Sequence, residues 1–140
     1  MKIIEVCAAV IERDGLFLST QRGYGSFKGK WEFPGGKIEE GETYDESLKR
    51  EIYEELKVHV NILDEICTIE YDYPTFHLIM HTFLCNMIEE DVNKVFHDRY
   101  EFVHDNYKWL SKEELNTVDW LPADILVIEK LNPYLRTKGI

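Results

Sequence analysis

Residues 43–57, TYDESLKREIYEELK, constrain the fold more than any other stretch. Thr43 and Glu46 stand at capping-box spacing, and Asp45 and Glu46 fall in a first turn where the helix dipole favours negative charge. Leu48, Ile52 and Leu56 recur every four residues and make one apolar stripe. The spacing predicts a helix over 43–57. The same helix carries a conflict. Glu51, Glu54 and Glu55 occupy the arc beside the stripe, with Glu55 at its edge, and like charges at that spacing cost a helix about 0.2–0.5 kcal/mol per pair. The chain has 27 acidic against 16 basic residues and a formal net charge of −11, so repulsion is already in excess. On an arbitrary helix such a run simply faces water. The residues upstream decide which reading holds here.

Around the helix the patterns are β-like. Residues 3–12 are mostly apolar and partly β-branched and read as a buried strand. RDG at 13–15 is a hairpin turn signal, and 16–22 the return strand. Residues 23–36, GYGSFKGKWEFPGG, hold five glycines and a proline and read as a loop with a short extended piece at Trp31–Phe33. VHVNIL (58–63) and ICTIEYDY (66–73) lead to a turn at Pro74, and 76–87 is a long strand. Residues 89–106 are polar and read as an irregular surface excursion. A short strand at 107–110, a short helix at 111–115 opened by Ser111, and an amphipathic helix at 122–132 with Pro122 near its start complete the chain. The expected class is α+β, one domain over residues 1–140, with helices on the faces of a mixed sheet.

Read onward from Gly36, the chain gives Glu42, then Arg50-Glu51-Ile52, then Glu54-Glu55, and finally Val58. This closely resembles the Nudix box, G-x5-E-x7-R-E-U-x-E-E-x-G-U, with U a bulky aliphatic. The one departure is Lys57, where the pattern has Gly. That Gly would end the helix in a left-handed conformation, and a Lys in the same geometry costs about 1–2 kcal/mol. The chemistry stands beside the resemblance. A nucleoside triphosphate is strongly anionic, and attack of water on its phosphorus needs that charge neutralised and the water activated, both of which divalent cations supply. Mg2+ prefers oxygen donors, and three carboxylates near a Gly-Gly loop with exposed carbonyls offer them.

The resemblance implies the Nudix fold, an α/β/α sandwich with a central mixed β-sheet, and a pyrophosphohydrolase that uses Mg2+, with Mn2+ as an alternative. It implies a metal site of the Gly35 carbonyl with Glu51, Glu54 and Glu55, an accessory Glu42, and catalysis by one of the acids. Arg50 lies about 100° around the helix from Glu51 and is expected to brace the loop. The wider stretch EFPGGKIEEGET resembles MutT-type nucleoside triphosphate pyrophosphohydrolases, as does Arg22, which in that subfamily holds phosphate; Lys37 is grouped with it. The resemblance resumes at 120–131, where MutT-type enzymes read the base with Asn or, in CTP-type enzymes, Asp. This chain has Asp124. A carboxylate only accepts hydrogen bonds, which suits the exocyclic amino group of cytosine or adenine. The bland alternative is that Asp124 serves the helix dipole. Phe33 is expected either to stack on the base or to fill the core, and Tyr73 and Phe76 flank the Pro74 turn where the subfamily closes the pocket. Thr75 replaces the acid that follows that proline in MutT. A further subfamily Glu ligand six residues before the late-strand Trp falls on Val103, with Glu101, His104 and Asp105 nearby.

The acidic balance argues against a nucleic-acid polymer as partner. No apolar run reaches about 18 residues, so no membrane span is expected. The N-terminus reads as a strand and not as a signal peptide. Cys7, Cys67 and Cys85 are scattered without a CxxC pair, which suggests buried thiols in a reducing cytoplasm. Nothing marks an interface, so the expected state is monomer or homodimer. The reading is hydrolysis of a nucleoside triphosphate to monophosphate and pyrophosphate by water attack on the β-phosphorus. Rivals are an 8-oxo-dGTP hydrolase, a hydrolase of nucleoside diphosphate-linked substrates such as ADP-ribose or sugar nucleotides, and a non-catalytic nucleotide-binding sensor.

Overall fold

The computed structural model describes residues 1–95 and 107–140. The central strand is β1 (Lys2–Arg13). Its side chains alternate between two cores: Ala8 and Val10 join one, Cys7, Ala9 and Ile11 the other. A strand buried on both faces reads as a continuous apolar run. After a turn at Asp14 and Gly15, both at positive φ, β2 (Leu16–Gln21) pairs with β1 only at Glu12↔Phe17 and Arg13↔Leu16. It then runs antiparallel to β3 (Trp31–Glu32) and β7 (Tyr107–Ser111). On its other side β1 runs parallel to β6 (Phe76–Met87), which pairs antiparallel with β5 (Val60–Tyr73). The strand order is β3-β2-β1-β6-β5.

α1 (Tyr44–Leu56) covers one face and buries Leu48 and Ile52 completely against Cys7, Ala9 and Ile11. Its capping box is formed: the Thr43 hydroxyl accepts from Glu46 N–H at 3.1 Å, and the Glu46 carboxylate accepts from Thr43 N–H at 2.9 Å. α3 (Pro122–Lys138) covers the other face with Val127, Leu131 and Leu135, all fully buried. Helices on both faces of a mixed sheet make the α/β/α arrangement expected of the sequence.

Four local expectations change. Gly35–Lys37, placed in a loop by its glycines, is strand β4, paired antiparallel with β1. A Cβ at Gly35 would come within 2.0 Å of the Cys7 carbonyl oxygen, so glycine there permits the close pairing. Residues 58–63 and 66–73 merge into the single strand β5, interrupted by irregularities between Ile62 and Asp64 and between Glu65 and Cys67. The last helix runs past Pro133 to Lys138. Pro133 is exposed, the stripe Val127–Leu131–Leu135 continues through it, and the Tyr134 hydroxyl donates to Asp64 at 2.6 Å, so packing outweighs the lost backbone bond. The polar stretch after β6 opens with a 3-10 turn at Glu89–Asp91 and α2 (Val92–Val95). The short helix expected at 111–115 is present as a 3-10 helix, Lys112–Thr117, opened by Ser111. Glu101, Val103, His104 and Asp105 lie outside the described residues.

Candidate active site

α1 lays its acidic arc against β4, and the sequence conflict finds its counter-charge in Arg50. Its Nε donates to Glu42 at 2.6 Å and its Nη2 to the same carboxylate at 2.9 Å. Its Nη1 lies 2.9 Å from Glu51 and 3.3 Å from Glu54, and Nη2 also reaches the Lys37 carbonyl at 3.0 Å. The guanidinium therefore ties the loop before α1 to the acids on it. Hydrogen bonds from Arg50 hold the Glu42 carboxyl at a pKa of about 2. Gly36 closes the other side: a Cβ there would sit 2.4 Å from the Glu51 carboxylate, so glycine makes room for the acid.

Glu55 faces a different environment. Burial, then the charges of Glu32 and Glu51, push its pKa to about 7, while the Gly35 backbone and the Thr20 hydroxyl draw it back. The residue as a whole is exposed, while its carboxyl lies against the Gly35 backbone and the Thr20 hydroxyl, near Glu32 and Glu51. Glu51, Glu54, Glu55 and Glu32 line one cleft of about 560 Å³ with Thr20, Gly35 and Arg22. Among the described residues no three His, Cys, Asp or Glu side chains converge as a formed metal cluster; Glu51 and Glu54 lean towards Arg50. The donor set still fits a hard divalent cation. It is all oxygen, it includes the Gly35 backbone beside the acids, and its mutual repulsion is what a cation relieves.

Beside the cleft is a second cavity of about 360 Å³, largely apolar, walled by Ile4, Val6, Phe27, Phe33, Tyr73 and Phe76. Tyr73 stacks on Phe76 with centroids 5.0 Å apart and meets Phe27 edge-on at 5.4 Å. Its hydroxyl oxygen accepts from Ala123 N–H at the start of α3. Phe33 lines the cavity but is buried in the core and packs on Trp120 at 4.7 Å, in line with the core reading. Lys37 stands at the rim, exposed. Asp124 lies at the end of this cavity, 4% exposed, its Oδ1 accepting from Phe33 N–H at 2.9 Å. Burial, opposed by that hydrogen bond, raises its pKa to about 8. That shift favours the protonated acid, a form that donates as well as accepts, beside the acceptor-only carboxylate expected from sequence. Its first-turn position on α3 is real, but a neutral acid contributes little to a helix dipole.

The two cavities share Arg22, Glu32 and Gly35. Arg22 pairs side-on with Glu32, Nη2 at 2.9 Å and Nε at 3.1 Å. Glu32 and Thr20 were missed from sequence. Glu32 lies beside the Pro-Gly-Gly motif but outside the pattern of the box, and Thr20 is an ordinary strand residue. Only the pairing of β2 with β3, Thr20↔Glu32, brings them to the cleft.

The NUDIX domain profile matches residues 1–131. The CTP pyrophosphohydrolase of Escherichia coli K12 is 34% identical over 130 residues, covering 92% of this chain and 91% of that one. The 8-oxo-dGTP diphosphatase of the same organism is 29% identical over 136 residues, covering 94% and 98%. Among solved structures, the E. coli ORF135 protein superposes with a TM-score of 0.74 at 33% identity, covering 99% of this chain and 94% of that one. No described helix is long and apolar enough to cross a membrane. Motif, cleft and relatives converge: the chain belongs to the Nudix family and is a hydrolase of phosphoric anhydride bonds.

Proposed function

We propose that the protein hydrolyses a nucleoside triphosphate to the monophosphate and pyrophosphate, with Mg2+ as cofactor. The observation that carries this reading is the junction at Arg22, Glu32 and Gly35, which line both an aromatic-walled cavity and a carboxylate-lined cleft beside it. A base fits the first and a phosphate chain the second. Glu51, Glu54, Glu55 and the Gly35 carbonyl would hold Mg2+, which when bound neutralises phosphate charge and lowers the pKa of the attacking water. Arg22 would exchange part of its contact with Glu32 for a phosphate oxygen. Arg50, held by Glu42, would keep Glu51 and Glu54 oriented. Tyr73, Phe76 and Phe33 would exclude water around the base, and Lys37 would offer a cation at the rim. Asp124, whose burial favours the protonated form, would in that form present a donor to the base edge.

A cytosine nucleotide is the first substrate to test, since a CTP pyrophosphohydrolase is similar over nearly the whole chain and Thr75 supplies no acid at the Pro74 turn. A donor-and-acceptor Asp124 suits 8-oxo-dGTP as well. The three free cysteines, two of them buried, suit a reducing cytoplasm. Incubation with CTP, dCTP, 5-substituted dCTP and 8-oxo-dGTP in Mg2+ is expected to release pyrophosphate, most rapidly from a cytosine nucleotide. Release of orthophosphate alone, or no turnover, would contradict the reaction. A clear preference for 8-oxo-dGTP would contradict the base.

A further inference from the structure

The reaction above gives no role to His77, the residue after Phe76 on β6. Its ring lies between two carboxylates of β5: Nδ1 is 2.6 Å from Asp72 Oδ1, and Nε2 is 2.9 Å from Glu70 Oε1. A neutral imidazole carries one N–H and one lone pair, so it can donate to only one of them and must turn its lone pair towards the other. Carboxylates at hydrogen-bond distance from both ring nitrogens therefore fit the imidazolium, which donates to each. The same two acids, Asp72 first, raise the His77 pKa above its ordinary value. Among the described residues β1 adds no charge directly opposite. The residue paired with His77 there is Ile3. Lys2 falls on the other face of that strand, and Glu5, the next residue along this face, is taken by His81 at 2.6 Å.

The clamp adjoins the wall of the base cavity. Asp72 and His77 are partners across the strand pair, and so are Tyr73 and Phe76, the last pair before the Pro74 turn. Side chains alternate between faces along a strand. The charged pair therefore lies on the outer face and Tyr73–Phe76 on the cavity face, where the rings stack at 5.0 Å. A slip of one residue in this register would exchange the two faces. Glu70 extends the clamp diagonally across the pair. We propose that the His77 imidazolium, held between Asp72 and Glu70, is a positioning residue for nucleotide binding: it keeps the Pro74 hairpin in the form that presents the Tyr73–Phe76 stack to the base, and loosens it on losing its proton. The inference rests on the placement of the base in the cavity given above. The clamp is complete below the ordinary histidine value of about 6.5 and is lost as pH rises through the raised folded value. Its loss leaves the carboxylate cleft untouched, so the effect falls on KM and not on kcat.

The test measures KM and kcat for the best nucleoside triphosphate from pH 6 to 9, in wild type, His77→Gln and His77→Arg. The ratio of variant to wild type at each pH cancels the titration of the substrate and of groups common to all three proteins, Asp124 and Glu55 among them. Exposed ion pairs of this kind correspond to roughly a two- to fivefold change in an equilibrium. His77→Gln, which carries no charge, is expected to show a KM about two- to fivefold above wild type at pH 6, the gap narrowing as pH rises, with kcat within about twofold throughout. His77→Arg, a permanent cation with several donors, is expected to keep the low KM over the whole range. Wild type against His77→Arg gives the same reading if the glutamine variant does not fold: the wild-type KM must rise relative to His77→Arg between pH 6 and 9. A ratio that does not change with pH, or a KM for His77→Arg at pH 6 as high as that of His77→Gln, would overturn this inference alone. A wild type that hydrolyses no nucleoside triphosphate would overturn the proposed reaction with it.

Discussion

Asp124 is an acid with a folded-state pKa of about 8 against an ordinary value near 3.9. Between those values the folded protein keeps a proton that the unfolded chain has released. The contribution is present in full below about pH 4 and is lost as pH rises through 8. Asp124→Asn has the same shape, keeps an acceptor for Phe33 N–H, and does not titrate. Urea melts from pH 5 to 9 are therefore expected to show wild type losing stability relative to Asp124→Asn as pH rises, with the gap levelling off above about pH 8. A constant gap would mean that the acid is ionised in the fold throughout. Gly36 carries a prediction of a different kind. Gly36→Ala drives a methyl group into the Glu51 carboxylate, so turnover is expected to fall at least tenfold while circular dichroism stays that of a folded protein.

At the scale of elements, α1 ends on a residue that fits its place poorly. Lys57 adopts φ 60 and ψ 30, the left-handed cap geometry, with its N–H donating to the Tyr53 carbonyl. Lys57→Gly is expected to stabilise the protein by about 1 kcal/mol, read as a rise in Tm of a few degrees; a fall would mean that the contact of the Lys57 ammonium with the Tyr53 ring outweighs the strain. The start of α1 and its buried face were legible in the sequence from the capping box and the apolar stripe, whereas its left-handed end was suggested only by the Gly of the box pattern at position 57. β4 was not legible. Gly35 and Gly36 carry no side-chain pattern, and they become a strand only because β1 lies alongside and Glu51 needs the space. The continuation of α3 past Pro133 was hidden for a related reason: the local rule says stop, and the burial of Leu135 against the sheet says continue. Leu135→Ala is expected to destabilise by about 2–5 kcal/mol in denaturant melts, far more than an ornament on a frayed helix end would.

For the whole molecule, the fold separates two tasks along one surface. One side of the Arg22–Glu32 pair is apolar and aromatic; the other is carboxylate. The helix motif announced the acidic side directly, since its carboxylate candidates Glu51, Glu54 and Glu55 all lie on α1. The apolar side is assembled from β1, the loop before β3, the Pro74 hairpin and the start of α3, and sequence could point only to Phe33, Tyr73, Phe76 and Asp124 by analogy. Glu32 and Thr20 come into place through strand pairing, and Phe27 through a loop that packs it on Tyr73, neither of which a local pattern records. The charge state of Asp124 was equally out of reach, because it depends on burial by elements distant in sequence. The central claim is that the acids of α1 hydrolyse a nucleotide anhydride with a divalent cation. It is tested most directly by pyrophosphate release from CTP with and without Mg2+, for wild type and Glu54→Gln. Glu54 is largely exposed, its side chain 58% accessible, so the variant is expected to fold normally. The account predicts Mg2+-dependent pyrophosphate release by wild type and a loss of at least a hundredfold in Glu54→Gln. Turnover unchanged in the variant, or undiminished without Mg2+, would contradict it.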